Sequence, residues 1–162
     1  MRKIAYTLNT IALLVSFCIK TVHAEPFPRG CEVKGFAFAN GHLIVNDSGK
    51  QAFYIIRNRS TVPIQIQRVE THDVFMSPPL TAKFDALASA AFASDIMNFH
   101  FECLTTDQEN IQLLNCADIL DICEYPRVKF ALSNMGNYWV SVNKTQQEVI
   151  NDAVGKGIYL KW

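Results

Sequence analysis

The chain has 162 residues, 49% of them hydrophobic, with 15 Lys and Arg set against 15 Asp and Glu. That is enough apolar material for the core of one domain. A phosphate-backbone binder needs clustered positive charge, which this balance argues against, so nucleic acid is not an expected partner.

The first 24 residues read as a secretory signal peptide. Arg2 and Lys3 precede a short apolar core from Ile11 to Ile19, and Val22-His23-Ala24 ends it with residues suited to cleavage. A membrane-spanning helix takes about 20 predominantly apolar residues. Asn9, Thr10 and Lys20 interrupt this stretch, so no stable membrane span is expected. The mature chain is expected to cover 25–162 as a single domain in the bacterial periplasm or outside the cell. Arg2, Lys3 and Lys20 leave with the leader, so its charge is 12 basic against 15 acidic residues, or −3.

Four cysteines remain: Cys31, Cys103, Cys116 and Cys123. An even set in an oxidising compartment is expected to form disulfides. The gaps of 71, 12 and 6 intervening residues lack the close C-x₂₋₄-C pairs of a zinc module. Three pairings are possible, and spacing does not choose among them.

From Cys31 onward the apolar pattern has mostly a period of two, the mark of strands. Val33 to Phe38 and His42 to Val45 flank Asn40-Gly41, a hairpin dipeptide. Ala52 to Arg57 is a continuous apolar run suited to a strand covered on both faces. Val62, Ile64 and Ile66 share one face of the next strand, with Gln65 and Gln67 on the other. Residues 71–90, with Ser77-Pro78-Pro79 and many alanines, read as a long loop with one helical turn. Phe99, Phe101 and Cys103 then alternate with His100 and Glu102, and Ile111 to Cys116 reads as the returning strand. Ala117 to Cys123 reads as a helical turn ended by Pro126. Val128, Phe130 and Leu132 alternate, and Tyr138 to Val142 forms a further strand.

One helix is well signalled. Thr145 and Glu148 form a capping-box pattern, Val149, Ile150, Ala153 and Val154 make an apolar stripe, and Gly155 and Gly157 stop it. Ile158, Leu160 and Trp162 close the chain on one face of a last strand. Many short strands with one late helix predict a mainly β, immunoglobulin-like β-sandwich with small insertions, stabilised by disulfides.

Chemistry-bearing patterns are sparse. His42, His72 and His100 have no carboxylate or thiol at an obvious catalytic spacing, and no nucleophile elbow, S-x-x-K or H-E-x-x-H occurs. No catalytic residue, cofactor or metal site is therefore expected. N-x-S/T triplets stand at Asn46, Asn58 and Asn143, where asparagine also serves turns and caps. Two features point to protein contact. The loop with Phe75, Met76, Pro78 and Pro79 sets large apolar residues beside prolines that discourage regular structure. Tyr138 and Trp139 are strand neighbours and point to opposite faces, so a simple sandwich buries only one. The C-terminal Gly157 to Trp162 alternation also resembles the last strand of an outer-membrane barrel, but the 145–154 helix and the cysteines fit a barrel poorly.

The segments Asp73 to Pro78 (DVFMSP), Phe92 to Ile96 (FASDI), Tyr125 to Ser141 (YPRVKFALSNMGNYWVS) and Gln146 to Trp162 (QQEVINDAVGKGIYLKW) resemble the enhanced-entry protein B family over nearly all of the mature chain. These are small exported proteins of intracellular gamma-proteobacterial pathogens. The resemblance implies an envelope protein linked to host-cell entry and cell-wall integrity, and it supplies no catalytic residues. The expected function is a non-enzymatic interaction module whose partner is an envelope or host protein. Two alternatives are a protein inhibitor that plugs a secreted hydrolase, such as a cell-wall lytic enzyme, with its 71–90 loop, and a small outer-membrane barrel.

Overall fold

The computed structural model describes residues 26–45, 50–69, 80–95, 98–107, 109–131 and 136–161. The leader, the candidate contact residues Phe75, Met76, Pro78 and Pro79, and the terminal Trp162 lie outside the described residues. In chain order the strands are β1 (Phe36–Ala39), β2 (His42–Val45), β3 (Ala52–Asn58), β4 (Ile64–Arg68), β5 (Thr81–Phe84), β6 (Ser89–Ser94), β7 (Phe99–Thr105) and β8 (Leu113–Leu114). A helical turn α1 (Cys116–Ile119) leads into β9 (Leu120–Tyr125) and β10 (Val128–Phe130). Then follow β11 (Tyr138–Lys144), the helix α2 (Gln146–Gly155) and β12 (Ile158–Leu160).

These strands build a β-sandwich. One sheet has the order β1-β2-β7-β4-β5, with β8 also paired to β7, and the other has the order β11-β6-β3-β9. All pairings are antiparallel. Between the sheets lies an apolar core that includes Leu43, Tyr54, Ile56, Ile66, Phe92 and Phe101, all fully buried. Aromatic rings dominate its middle: Phe92 sits 5.4 Å from Phe99, 5.3 Å from Phe101 and 5.1 Å from Trp139, edge-on or tilted as ring quadrupoles favour.

The four-stranded sheet is covered a second time. On its other face Phe53, Ile55, Ala91, Cys123 and Tyr125 pack against Val149 and Ala153 of α2 and Ile158 of β12. The apolar run of β3 is thereby explained: residues 52–56 are all buried, since neither face meets water. α2 forms where the sequence places it, with Thr145 as N-cap and both hydrogen bonds of the capping box made. Its buried stripe is narrower than the sequence pattern, because Val154 is exposed.

The disulfides join Cys31 to Cys123 and Cys103 to Cys116, with Cα separations of 5.4 and 5.5 Å. Each layer of the core receives one: Cys103 and Cys116 belong to the inter-sheet core, and Cys31 and Cys123 to the layer under α2. Disulfides form and persist in oxidising compartments. Among the described residues no helix is long and apolar enough to cross a membrane.

Several local expectations are corrected. The described part of the 71–90 segment holds β5 and the start of β6 joined by a short turn: β5 pairs with β4, and β6 sits between β3 and β11. All six residues of β6, Ser-Ala-Ala-Phe-Ala-Ser, are buried. Small side chains suit a strand pressed from both sides, so the alanines that argue against strand in the sequence are what the packing requires. The helical turn after Asn115 ends at Ile119, and Asp121-Ile122-Cys123 is strand. The returning strand shrinks to Leu113–Leu114. Val62 lies before β4 and is 57% exposed, so only Ile64 and Ile66 face the core. Among the described residues the two large sheets do not close on each other, and β12 pairs with β10 in a two-stranded ribbon.

Because β6 is packed on both faces, a larger side chain on either face meets a filled layer, and Ala91 faces the one under α2. Ala91 stands in register with Ile55 of β3 and Ser141 of β11, with no exposed surface. Ala91→Leu is expected to lower unfolding free energy by about 1–3 kcal/mol, measured by urea titration with an unchanged m-value.

Candidate functional site

Asn58, the last residue of β3, is fully buried and makes every bond its amide offers to nearby groups. Its Nδ2 donates to the carbonyls of Val62 (2.8 Å) and Asp85 (3.0 Å). Its Oδ1 accepts from the Ser60 N–H (2.9 Å) and hydroxyl (2.7 Å). The Leu87 N–H donates to the Ser60 carbonyl, and the Asp85 N–H to Asn143 Oδ1 at 2.7 Å. One buried amide and one turn asparagine thus tie together the segments around 60–62, 85–88 and 143–145 at one end of the sandwich.

Two aliphatic side chains project from this tied end: Val62, 57% exposed, and Leu87, 56% exposed. Leu87 has φ +60°, in the left-handed region that a residue with a Cβ enters at a cost of about 1–2 kcal/mol. Asn143 is also left-handed, at φ +59°, but asparagine tolerates that conformation. A bulky residue held there in the open marks a segment fixed by its surroundings.

Beside Leu87 lies an open cavity of about 320 Å³, lined also by Arg57, Asn143, Lys144, Gln146 and Glu148. Its charges are largely engaged locally. Arg57 donates to Asp121 from Nε at 3.2 Å and Nη2 at 2.7 Å. Glu148 accepts from the Thr145 backbone and hydroxyl, bonds that hold its carboxyl below the usual range. The cavity thus sets the exposed Leu87 side chain beside polar and charged groups.

The residues singled out in the sequence fall elsewhere. Trp139 packs into the inter-sheet core, 5.5 Å from Phe84 and 5.7 Å from Phe101, while Tyr138 packs into the layer under α2. With the four-stranded sheet covered twice, both rings are half-buried and neither stands clear as a free anchor. His100 is exposed on the outer face of the larger sheet, His42 is half-buried, and His72 lies outside the described residues. Asn58 is sealed inside the fold, while Asn143 is exposed with its carbonyl oxygen engaged. Leu87 escapes sequence reading because a leucine between alanines carries no turn signal.

A second local arrangement covers the outer edge of β9. Glu32 and Glu124 exchange backbone hydrogen bonds, both 2.8 Å, next to the Cys31–Cys123 disulfide. Tyr54 donates its hydroxyl proton to the Gly35 carbonyl at 2.8 Å, and Tyr125 donates to the Arg29 carbonyl at 3.2 Å. The Glu124 side chain is trapped beneath this strap and lies directly against Gly35, where a Cβ would overlap its carboxylate. Gly35 has φ +74°, so glycine serves both the turn and the close approach.

No protein-family model matches this chain, and no curated protein or solved structure matches it.

Burial pushes the Glu124 carboxyl above its ordinary value; Lys34 opposes the shift and Glu32 adds to it. An acid raised in the folded state is tolerated best when protonated. Stability is therefore lost as pH rises from below the ordinary carboxylate value through the raised one. Glu124→Gln is expected to raise the melting temperature at pH 7–8, and the gain is expected to vanish near pH 3. Thermal melts of both proteins across that range test this, and a gain independent of pH would refute it.

Proposed function

We propose that this protein is an exported, non-enzymatic interaction module of the bacterial envelope, and that its contact surface is the tied end of the sandwich bearing Val62 and Leu87. The observation that carries the reading is Leu87 itself, a leucine held left-handed and exposed where glycine would be less strained. Strain of this kind persists only where the surroundings over-determine it, and it collects at functional positions. A rigid apolar projection binds with little further loss of side-chain freedom, which is how pre-organised anchors gain affinity. The partner is an envelope or host protein with a complementary apolar patch.

The signal-peptide pattern and two disulfides support export into the periplasm or beyond. The resemblance to the enhanced-entry protein B family supports a part in host-cell entry or cell-wall integrity.

A substitution that relieves the strain separates contact from stability. Leu87→Gly is expected to leave the melting temperature unchanged or higher, since about 1–2 kcal/mol of left-handed cost disappears while glycine loses about 0.5–1 kcal/mol in backbone entropy. Partner capture is expected to fall. A photo-crosslinker at Val62 or Leu87, introduced into cells, should trap one envelope or host protein that the same probe at exposed His100 does not. Equal trapping at all three positions, or full capture by Leu87→Gly, would reject the surface.

A further inference from the structure

An open sheet exposes a row of unpaired N–H and C=O groups along each outer strand, and proteins protect such edges against pairing with other chains. Among the described residues, three of the four outer strands of the sandwich carry a protection. β9 is covered where Glu32 bonds to Glu124 beside a disulfide. β11 breaks register against β6 twice, between Trp139 and Ser141 and between Ser141 and Lys144, and such irregularities turn an edge away from flat pairing. β5 alternates exposed Thr81 and Lys83 with buried residues, placing a charge on the edge. β1 is different. Phe36-Ala37-Phe38-Ala39 has no charge, proline or bulge; it pairs with β2 in unbroken register, and its last three residues are exposed.

We propose that β1 is a homodimer contact, pairing antiparallel with β1 of a second copy about a two-fold axis through Ala37. The strand's own pattern selects the occupant. Residues directly opposite in an antiparallel pair share a face. With Ala37 opposite Ala37, Phe36 of each copy lies opposite Phe38 of the other, and four phenyl rings gather on one face. That face continues the inter-sheet core: Phe36 and Phe38 stand opposite Val45 and Leu43, both fully buried, with their rings 5.8 Å apart. Pairing covers Phe38, which is 36% exposed in the single chain. The charges are compatible as well, since the same register sets Lys34 opposite Asn40 and brings no like charges together. A foreign strand would have to match this alternation by chance, whereas a second copy supplies it by symmetry, in the isologous arrangement commonest among oligomers.

Sedimentation of the exported, oxidised chain from about one to a few hundred micromolar covers the range in which a contact this short associates. The expected result is a concentration-dependent monomer–dimer equilibrium. Ala37→Lys and Ala37→Glu each set two like charges face to face on the axis. Each is expected to weaken dimerisation about tenfold or more, with the melting temperature unchanged at concentrations where the parent is monomeric, because Ala37 is exposed. Mixing the two variants is expected to restore the dimer, because the introduced lysine of one copy meets the introduced glutamate of the other only in this register. A chain that stays monomeric throughout, a variant that dimerises like the parent, or a mixture no tighter than either variant alone would overturn the proposal.

Discussion

The burial of β3 on both faces is the constraint from which the rest of the structure follows. Ala52 to Ile56 present five apolar side chains in succession, and alternation sends them to opposite sides of the sheet. One set needs the larger sheet as a cover, and the other needs α2 and the β10–β12 ribbon. At about 25 cal/mol per Å² of apolar surface, leaving either set in water would cost several kcal/mol. A fold of this kind has a net stability of only about 5–15 kcal/mol. The late helix is therefore part of the core, although it follows nearly all the strands in sequence. The small residues of β6 and the placing of one disulfide in each layer answer the same demand.

Where β3 runs out, the same constraint meets a polar residue. Asn58 still lies under cover, and a buried amide without partners would cost about 1–3 kcal/mol for each unsatisfied group. The chain satisfies it with groups from the two segments that pass overhead, and this fixes their conformations. Rigidity at that end of the sandwich is thus a by-product of solving a burial problem. It also supplies the restraint that keeps Leu87 in a backbone region it would otherwise leave. The apolar projection there draws on core energetics, even though Leu87 itself contributes little to the core.

The sandwich class, the both-faces character of Ala52 to Arg57, the Asn40-Gly41 hairpin and the capped helix are all legible in the sequence because each rests on local signals. Asn40 and Gly41 do take positive φ, at 52° and 82°, as their chemistry favours. Other features depend on packing that a single sequence does not display. The alanines of β6 read as poor strand formers, yet their small size is set by two neighbouring layers. The disulfide pairing depends on which strands lie together, and spacing is silent on that. The expectation that only one of Tyr138 and Trp139 is sheltered presumes a wet face on every sheet, whereas the second cover shelters both rings. Leu87 is invisible in the sequence because its conformation is imposed through Ser60 and Asn58, 27 or more residues earlier in the chain.

The way the layers are closed also decides where apolar surface can remain. The outer face of the larger sheet is lined by Gln65, Gln67 and Glu102, with Gln67 bonded to Glu102 at 2.6 Å and Gln65 to Gln67 at 3.0 Å. Such a polar, charged face costs desolvation when covered and gives a partner little to gain by drying it. The opposite side of the sandwich is covered by α2. Among the described residues, what is left are single side chains on that cover, Val154 and Tyr159, the ends, where strands stop, and the edges, where pairing stops. Residues there are chosen less by the core than by what must be kept away or brought near. Charge, bulges and a disulfide strap keep strands away from β5, β11 and β9, so an uncharged, regular, aromatic β1 differs from them in kind. Among the described residues, β1 has neither charge, bulge nor covering strap, and its sequence sets it apart from the other three edges.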